Sequence, residues 1–358
     1  MAIFYEIDFL DVAQRRSGDA ISLRYETSNK EYIHVVDGGF QATGEKVVEH
    51  IIKYYGGPSF VDHVVVTHPD GDHAGGLRTI LEEFDVGALW MARPWDYADT
   101  LIHRFSKFKS VDNLKTRLKE IYTNIAALEE IANERGIPIY EPFTGEGIGA
   151  FTVLSPTLEH YLDMVVASER TPEAAKIAEE DRAISKGLFD IIRKAANFIR
   201  AAWGEEVFSA EETSAENEMS VVQYAYLCDD RILLTGDAGR KSLEMAADFA
   251  ENSGLDLPGI DKFQVPHHGS RRNVSSEILD RWLGPKVTRG SESTFTAIVS
   301  AAKEDEDHPR KAVVRACIHR GAKVFSTCGN SLRTSKNAPD REGWTSSTKL
   351  PYPEDQEE

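Results

Sequence analysis

Apolar and polar residues are distributed along the first part of the chain in a pattern typical of short strands joined by helices. Runs rich in apolar residues predict strands at residues 3–9, 20–25, 32–36 and 61–66. Helices are predicted at residues 45–55 and 74–83. Gly56-Gly57-Pro58 ends the first of these helices, because glycine and proline both continue a helix poorly.

Two longer helical stretches interrupt this strand pattern. One apolar stripe, with spacings of three and four residues, runs from Leu114 to Ala132, and a second runs from Leu188 to Ala202. We assign them to two helical insertions, at about residues 96–135 and 157–203. The polar segment 168–186 is expected to be a mobile connection. The insertions either pack as an extra helical layer or provide a lid or a surface for a protein partner.

Strands and helices alternate again in the rest of the chain. Further strands are predicted near residue 139 and at residues 151–154, 221–227, 232–234, 263–265, 295–300 and 323–326. Helices are predicted at residues 240–250 and 309–319. This arrangement predicts one layered α/β domain over residues 1–330. Residues 331–358 form a polar tail that ends in acidic side chains, and its part over residues 337–358 is expected to be loosely ordered.

The net charge of the 358-residue chain is −18, from 59 acidic and 41 basic residues. Proteins that grip long nucleic acids usually present a basic face, because neutralising phosphates drives much of their binding. The overall charge therefore favours a small substrate or a locally held one. Residues 103–119 are the one basic strip that we single out, and the alternative is that they form the solvated face of a helix.

Cysteine content and the start of the chain both bear on location. Cys228, Cys317 and Cys328 are too few and too scattered for a disulfide framework. The first twelve residues contain acids and no basic segment, so we expect no signal peptide. No apolar run approaches the ~20 residues that span a bilayer. We therefore expect a cytoplasmic protein without membrane contact.

A dense group of metal-ligand side chains follows the predicted strand 61–66. It reads His68-x-Asp70-x-Asp72-His73. Two imidazoles and two carboxylates suit a divalent first-row metal ion. The alternative is a polar turn in which the aspartates cap the next helix, but capping needs only one such residue.

Four further motifs lie beside predicted strands. They are Asn217-x-x-Ser220, Leu233-Leu234-Thr235-Gly236-Asp237, His267-His268-Gly269-Ser270, and Ser300 followed by His308-Pro309. Active-site residues often lie on loops at strand ends, because the strands hold those loops rigid. Adjacent histidines point in different directions, so we expect only one of His267 and His268 to face a given site.

Taken together, these motifs resemble the metallo-β-lactamase superfamily, and in particular its competence DNA-uptake (ComEC-type) branch. The resemblance also includes Gly18-Asp19-Ala20 near the start of the chain and Asp37-Gly38-Gly39 at the end of a predicted strand. All motifs occur in the order expected for that branch. It implies a stand-alone hydrolase of α/β class, with the four-layered αββα sandwich of that fold and the two helical insertions. It covers about residues 3–329 without those insertions.

The resemblance implies a role for each matching residue. Asp237 would bridge two divalent metal ions. The remaining implied metal ligands are Asp72, His73 and His308 at one ion, and His68 and Asp70 at the other. Asp70 or Asp72 would orient the nucleophile, and His267 or His268 would contact phosphoryl oxygens. Asn217 and Ser270 complete the implied substrate-binding set.

Two positions depart from the usual histidine pattern of the superfamily. Asp70 replaces the second histidine of the HxHxDH motif, and Asn217 replaces the histidine upstream of the bridging aspartate. The site around His68 is therefore rich in oxygen ligands, which favours Mn²⁺ or Mg²⁺ over Zn²⁺ there. We expect Zn²⁺ and/or Mn²⁺, with one ion held tightly and the ion at His68 and Asp70 held weakly. In addition, residues 13–17 replace the usual tight glycine turn.

The resulting prediction is a metal-dependent phosphodiesterase or nuclease that uses a metal-bound hydroxide held between two divalent ions. The partner would be a nucleic acid or nucleotide-like phosphodiester, and a protein partner or a second copy could bind through the insertions. One alternative is a degenerate, non-catalytic subunit of a larger assembly. The other is a thioesterase or glyoxalase-type hydrolase, which would require the full histidine set.

Overall fold

The computed structural model describes residues 2–12, 15–28, 30–171 and 198–357. Within these residues, seven strands form a first sheet in the order β15-β1-β2-β3-β4-β5-β6. In chain order these strands are β1 (Ala2–Phe9), β2 (Ala20–Thr27), β3 (Lys30–Gly38), β4 (Phe60–Val65), β5 (Asp85–Trp90), β6 (Ile139–Tyr140) and β15 (Leu332–Lys336).

A second sheet, also of seven strands within the described ranges, has the order β14-β13-β12-β11-β10-β8-β7. Its strands are β7 (Gly147–Ile148), β8 (Phe151–Ser155), β10 (Val222–Leu227), β11 (Asp230–Leu234), β12 (Lys262–Gln264), β13 (Phe295–Val299) and β14 (Ala322–Ser326). A small additional ladder joins β9 (Phe198–Arg200) to β16 (Asp355–Glu357).

Parallel strands bring several loops to one edge of the sandwich. Strands β3 to β6 are parallel in the first sheet, and β11 to β14 are parallel in the second. The carboxyl ends of β3, β4, β11, β12 and β13 lead into the predicted motifs. Val221 N donates a hydrogen bond to Thr67 O at 3.0 Å, which joins the two sheets at this edge. Open α/β sheets place their ligand sites at such edges.

Helices cover the outer faces of both sheets. They are α1 (Gly44–Tyr54), α2 (Gly71–Ala74), α3 (Leu77–Glu83), α4 (Ala98–Leu101), α5 (Val111–Ile121), α6 (Thr123–Arg135), α7 (Leu158–Ala167), α8 (Ala215–Glu218), α9 (Arg240–Asn252), α10 (Ser276–Leu283) and α11 (Lys311–His319). One apolar core lies between the sheets, and one lies under the helices on each outer face. The predicted αββα sandwich is therefore confirmed. Among the described residues, no helix has both the length and the apolar character needed to cross a membrane.

The structure describes the first predicted helical insertion and only part of the second. The first forms α4, α5 and α6, whose apolar residues join the core under the helices of the first sheet. The single long stripe is divided at Tyr122, between α5 and α6. Residues 172–197, which include most of the second stripe and the segment beyond Thr171, lie outside the described residues. The end of that stripe was predicted wrongly, because residues 198–200 form β9 by pairing with β16.

Strand β15, at the start of the predicted acidic tail 331–358, pairs with β1 at the edge of the first sheet. The expectation that residues 337–358 are loosely ordered is wrong for the described residues, which reach 357. The guanidinium of Arg341 donates to both oxygens of buried Asp8, at 2.8 and 2.7 Å. The carboxylate of Glu357 accepts from the backbone N–H groups of Lys311 and Ala312 at the start of α11, at 2.9 and 3.1 Å. Polar composition thus indicated disorder where the charged groups have specific partners.

Candidate metal centre

Asp37 and Thr67 position the first histidines of the site. Asp37 lies near the end of β3, beside the loop after β4, and its Oδ1 accepts a hydrogen bond from Thr67 N at 2.9 Å. Its Oδ2 accepts from Nδ1–H of His73 at 2.7 Å. This bond fixes the His73 ring and leaves Nε2 pointing to Asp237 Oδ1, at 3.3 Å. Histidines that bind metals commonly donate their other ring N–H to a carboxylate in this way. The ring of His68 lies 4.2 Å from that of His73, centre to centre.

Asp237 enters the site from the second sheet, directly after β11. Its backbone N–H donates to Ser220 Oγ at 3.2 Å. Gly236 before it has a φ of +50°, and a Cβ there would lie 2.9 Å from the Cβ of Thr67. Glycine at this position thus allows the close approach of the two sheets. As a result, the Asp237 carboxylate lies within 3.9 Å of His68 Nε2.

Both histidines of the His267-His268 pair face Asp237, contrary to the prediction that only one would. Their Nε2 atoms lie 3.6 and 3.9 Å from Asp237 Oδ2. Both residues have left-handed backbone angles, with φ of 46° and 53°, which turn the two side chains to the same side. The Nδ1 atoms point away from Asp237: that of His268 donates to Ser300 O and that of His267 to Asn273 Oδ1, each at 2.9 Å.

The arrangement fits a divalent cation. Several buried ligand atoms make no hydrogen bond within the described residues, namely the Nε2 atoms of His68, His73 and His268 and Oδ1 of Asp237. Leaving one buried polar atom without a partner costs about 1–3 kcal/mol, so a group of them at one point indicates a missing ligand. The ligand atoms lie within 4.8 Å of one another in three groups: Asp37, His68 and His73; Asp72, His73 and His268; and Asp19, Asp237 and His268.

We name the side chains at the middle of this arrangement the ligand cluster: His68, Asp72, His73, Asp237 and His268. Residues 24–161 match the family model described as the metallo-beta-lactamase superfamily. This segment, less than half of the 358-residue chain, is similar to that superfamily. Its members are metal-dependent hydrolases, and the first motif of the ligand cluster, at residues 68–73, lies within the matched segment.

Solved structures with a similar fold have little sequence identity to this chain. A metallo-beta-lactamase-type protein from Thermotoga maritima is 11% identical, covers 70% of this chain and 92% of its own, and has a TM-score of 0.33. The β-lactamase-superfamily hydrolase AbOPH is 12% identical; the match covers 68% of this chain and 74% of that protein, with a TM-score of 0.33. A diphosphatase of the PhnP family is 10% identical; the match covers 94% of this chain and 99% of that protein, with a TM-score of 0.36. No curated protein matches the chain.

The charged groups of the ligand cluster shift one another's pKa values. Burial disfavours an ionised Asp237, but the nearby imidazoles, above all His73, hold its pKa well below the usual range. Burial also disfavours a charged His268, yet Asp237 and Asp72 raise its pKa to about 9. The pKa of His73 is raised despite burial, because it faces Asp237. A metal ion that binds these imidazoles must therefore displace their protons.

Four residues predicted for the site lie at its margin. Asp70 Oδ2 is 3.8 Å from His68 Nε2, while its Oδ1 is 2.7 Å from the guanidinium of Arg170. The Nδ1 atom of His308 is bonded to Asp305, at 3.2 Å, and its ring centre lies 6.1 Å from that of His268. The other two are Asn217, whose amide donates to Thr213 Oγ1 at 2.7 Å, and Ser270, whose Oγ accepts from Arg272 N at 3.3 Å.

Sequence reasoning did not assign roles to three residues that contact the site. Asp37 orients His73, and the signal for it was an Asp-Gly-Gly sequence at the end of a predicted strand parallel to β4. Asp19 precedes β2 and its backbone N–H donates to Asp72 O at 3.1 Å. Arg170 had no detectable signal, because it lies in the polar segment 168–186, far along the chain from Asp70.

Proposed function

We propose that this protein is a metal-dependent phosphodiesterase, acting as a nuclease or on a nucleotide-like phosphodiester. The observation that carries the proposal is the ligand cluster, in which buried nitrogen and oxygen atoms that make no hydrogen bond to any described residue face one another around Asp237. Buried polar atoms in proteins nearly always have partners, so a divalent cation is the natural complement of this cluster.

Asp72, His73, His268 and Asp237 would hold the tighter ion. Asp237 would be shared with a weaker ion beside His68 and Asp70. His268 takes the position that sequence reasoning gave to His308, because its Nε2 lies 3.8 Å from Asp72 Oδ2. The mixture of imidazole and carboxylate ligands suits Mn²⁺ or Zn²⁺. Divalent ions here would lower the pKa of a bound water for attack on phosphorus and neutralise charge on the phosphoryl oxygens.

Basic side chains lie near the ligand cluster. Three arginines, Arg271, Arg272 and Arg310, are near one another beside the His267-His268 turn. Burial and the charges of the other two arginines lower the pKa of Arg271. Arg310 N donates to Gly269 O at 3.1 Å, which holds this arginine next to the turn. Arg272 pairs with Glu211, Arg310 lies 2.7 Å from Asp307, and the charge of Glu357 acts on Arg271, so a phosphodiester bound here would compete with these carboxylates for the guanidinium groups.

His267 would contact the substrate directly. Its side chain is 27% exposed, whereas that of His268 is 4% exposed. Asn217 Nδ2 lies 3.0 Å from His267 Nδ1 and Asn273 Oδ1 lies 2.9 Å from the same atom, so the two amides orient the ring. A phosphodiester bound beside Nε2 would favour the doubly protonated His267, which would keep Nδ1–H on Asn273 and donate Nε2–H to a phosphoryl oxygen, while His268 would remain a metal ligand.

A substrate screen of metal-loaded protein tests this function. Plasmid DNA, single-stranded DNA, RNA, cyclic nucleotides and a chromogenic phosphodiester would be compared with Mn²⁺ and with Zn²⁺. We expect turnover of at least one phosphodiester that is lost in Asp72→Ala. Full metal occupancy without hydrolysis of any phosphodiester would contradict the proposal.

The rival hypothesis is a degenerate subunit that binds no metal. It is favoured by Asp70, which already has a cationic partner in Arg170 at 2.7 Å. Elemental analysis separates the two hypotheses, because a degenerate centre would retain little or no metal after dialysis. A full complement of at least one ion per chain would exclude the degenerate subunit.

A further inference from the structure

Arg170 lies at the open side of the ligand cluster, shortly after α7. One guanidinium nitrogen is 2.7 Å from Asp70 Oδ1, and Nε is 3.6 Å from Glu216 Oε1. Glu216 belongs to α8, directly before Asn217. Arg170 therefore joins Asp70 to the residue directly before Asn217, and Asp70 and Asn217 are the two positions where the resemblance to the metallo-β-lactamase superfamily leads one to expect histidines.

Local hydrogen bonds hold Arg170 in place. Its backbone N–H donates to Ser168 Oγ at 3.1 Å, and the same hydroxyl donates to buried Glu216. Thr171 Oγ1 donates to Ser168 O at 2.8 Å, and both Ser168 and Thr171 are completely buried. The arginine is thus attached to an anchored turn. Its guanidinium stays protonated at any pH at which the protein is folded.

The two carboxylate oxygens of Asp70 face different partners. Oδ1 faces Arg170, while Oδ2 lies 3.8 Å from His68 Nε2. A second divalent ion near His68 would need Asp70 as a ligand and would then lie close to the guanidinium. Two like charges separated by a few ångströms repel strongly where little water intervenes.

We propose that Arg170 supplies a fixed positive charge in place of a second divalent cation at Asp70, so that the centre binds one ion tightly and a second only weakly. This rests on the metal centre of the proposed function and explains why its two halves differ. The tighter ion lies on the other side of Asp237, among Asp72, His73 and His268, where no arginine of the described residues forms an ion pair with a ligand.

Metal stoichiometry tests the inference without an activity assay. The full chain would be dialysed against graded Mn²⁺ and bound metal measured by mass spectrometry, for the wild type and Arg170→Gln. We expect one tight Mn²⁺ per wild-type chain and a second that binds at least about ten-fold more tightly in Arg170→Gln. Arg170→Lys, which keeps the charge, should resemble the wild type. So should Arg104→Gln, which removes an exposed arginine paired with Asp163.

The possible failures are distinguishable. Two ions of similar affinity in the wild type, or an unchanged second affinity in Arg170→Gln, would overturn the role of Arg170 and leave the hydrolase intact. Absence of any tight ion would overturn the proposed function and this inference together. Arg170 is 47% exposed, so its variants should fold, and thermal melting checks this. If a variant does not fold, two ions of similar affinity in the wild type would still overturn the inference.

Discussion

Buried charged groups in two regions of the molecule have opposite arrangements. In the ligand cluster, the Nε2 atoms of His73 and His268 face a carboxylate oxygen, and neither makes a hydrogen bond within the described residues. Glu206 is equally buried, yet it accepts from His319 Nδ1 and Arg320 Nη1, both at 2.8 Å, and from Ser276 Oγ at 2.6 Å. The same residue types thus satisfy one another in one region and are left open to a ligand in the other.

A second satisfied region lies beside β1. Asp8 accepts from Arg341 and from Tyr55, the latter at 2.6 Å, and lies 3.2 Å from His50. Removing a partner from such a network leaves a buried charge uncompensated, which is destabilising. Removing a ligand from the open cluster should instead affect metal binding. The contrast therefore predicts which substitutions change function and which change stability.

The largest effect is expected for Asp237→Asn. Asp237 is the carboxylate shared by the cluster, and replacing even residues that only orient metal ligands costs about 10–100-fold in affinity. We expect at least about a 100-fold loss of Mn²⁺ affinity and a matching loss of phosphodiester hydrolysis. Both are measured by equilibrium dialysis and by turnover.

Asp248→Asn is the matched control, because Asp248 is 60% exposed and pairs with Arg281 on the surface. It should retain metal and activity. Normal metal content in Asp237→Asn would show that the ligand cluster does not bind metal through Asp237.

Much of this site was predictable because its ligands are local in sequence. His68, Asp70, Asp72 and His73 follow a valine-rich strand, and Asp237 ends another, so spacing and strand ends were sufficient. The order of strands and helices predicted a layered α/β domain, and the resemblance to the metallo-β-lactamase superfamily implied its four-layered form. Those features are short-range or belong to the superfamily pattern.

Other features depend on tertiary contacts that no spacing reveals. His268 faces the cluster only because two successive residues adopt left-handed backbone angles. Arg170 meets Asp70 through an anchored turn a hundred residues away in sequence. Arg341 and Glu357 looked like parts of a disordered tail, because composition does not show that their partners are buried.

Arg341→Met should produce the next largest effect, on stability alone. It removes a partner from buried Asp8 and Glu6, and breaking a buried ion pair costs about 3–5 kcal/mol. Urea denaturation of the metal-free protein measures the loss, and metal affinity should not change. Arg117→Met is the control, because its pair with Glu120 is exposed and is worth less than about 1 kcal/mol. Equal losses of unfolding free energy in the two variants would contradict the view that the buried ion pairs of Arg341 matter for stability.

The smallest expected effect is the pH dependence of stability that arises at Glu206. Burial opposes its ionisation, but His319, Arg320 and Ser276 outweigh burial and lower the pKa of Glu206 from 4.5 to about 2. The ionised form is favoured in the folded state. Its contribution, about 3 kcal/mol, is therefore complete above pH 4.5 and is lost as the pH falls towards 2.

Comparison of the wild type with Glu206→Gln isolates this contribution from that of other carboxylates. The difference in unfolding free energy between the two proteins, measured in urea at intervals from pH 5 to about pH 2.5, should shrink steadily as the pH falls. Glu120→Gln, an exposed glutamate, should give a small difference that does not depend on pH. A constant difference for Glu206→Gln would mean that the Glu206 network does not depend on the charge of its carboxylate. The hydrogen bonds to Glu206 would then no longer distinguish this region from the ligand cluster.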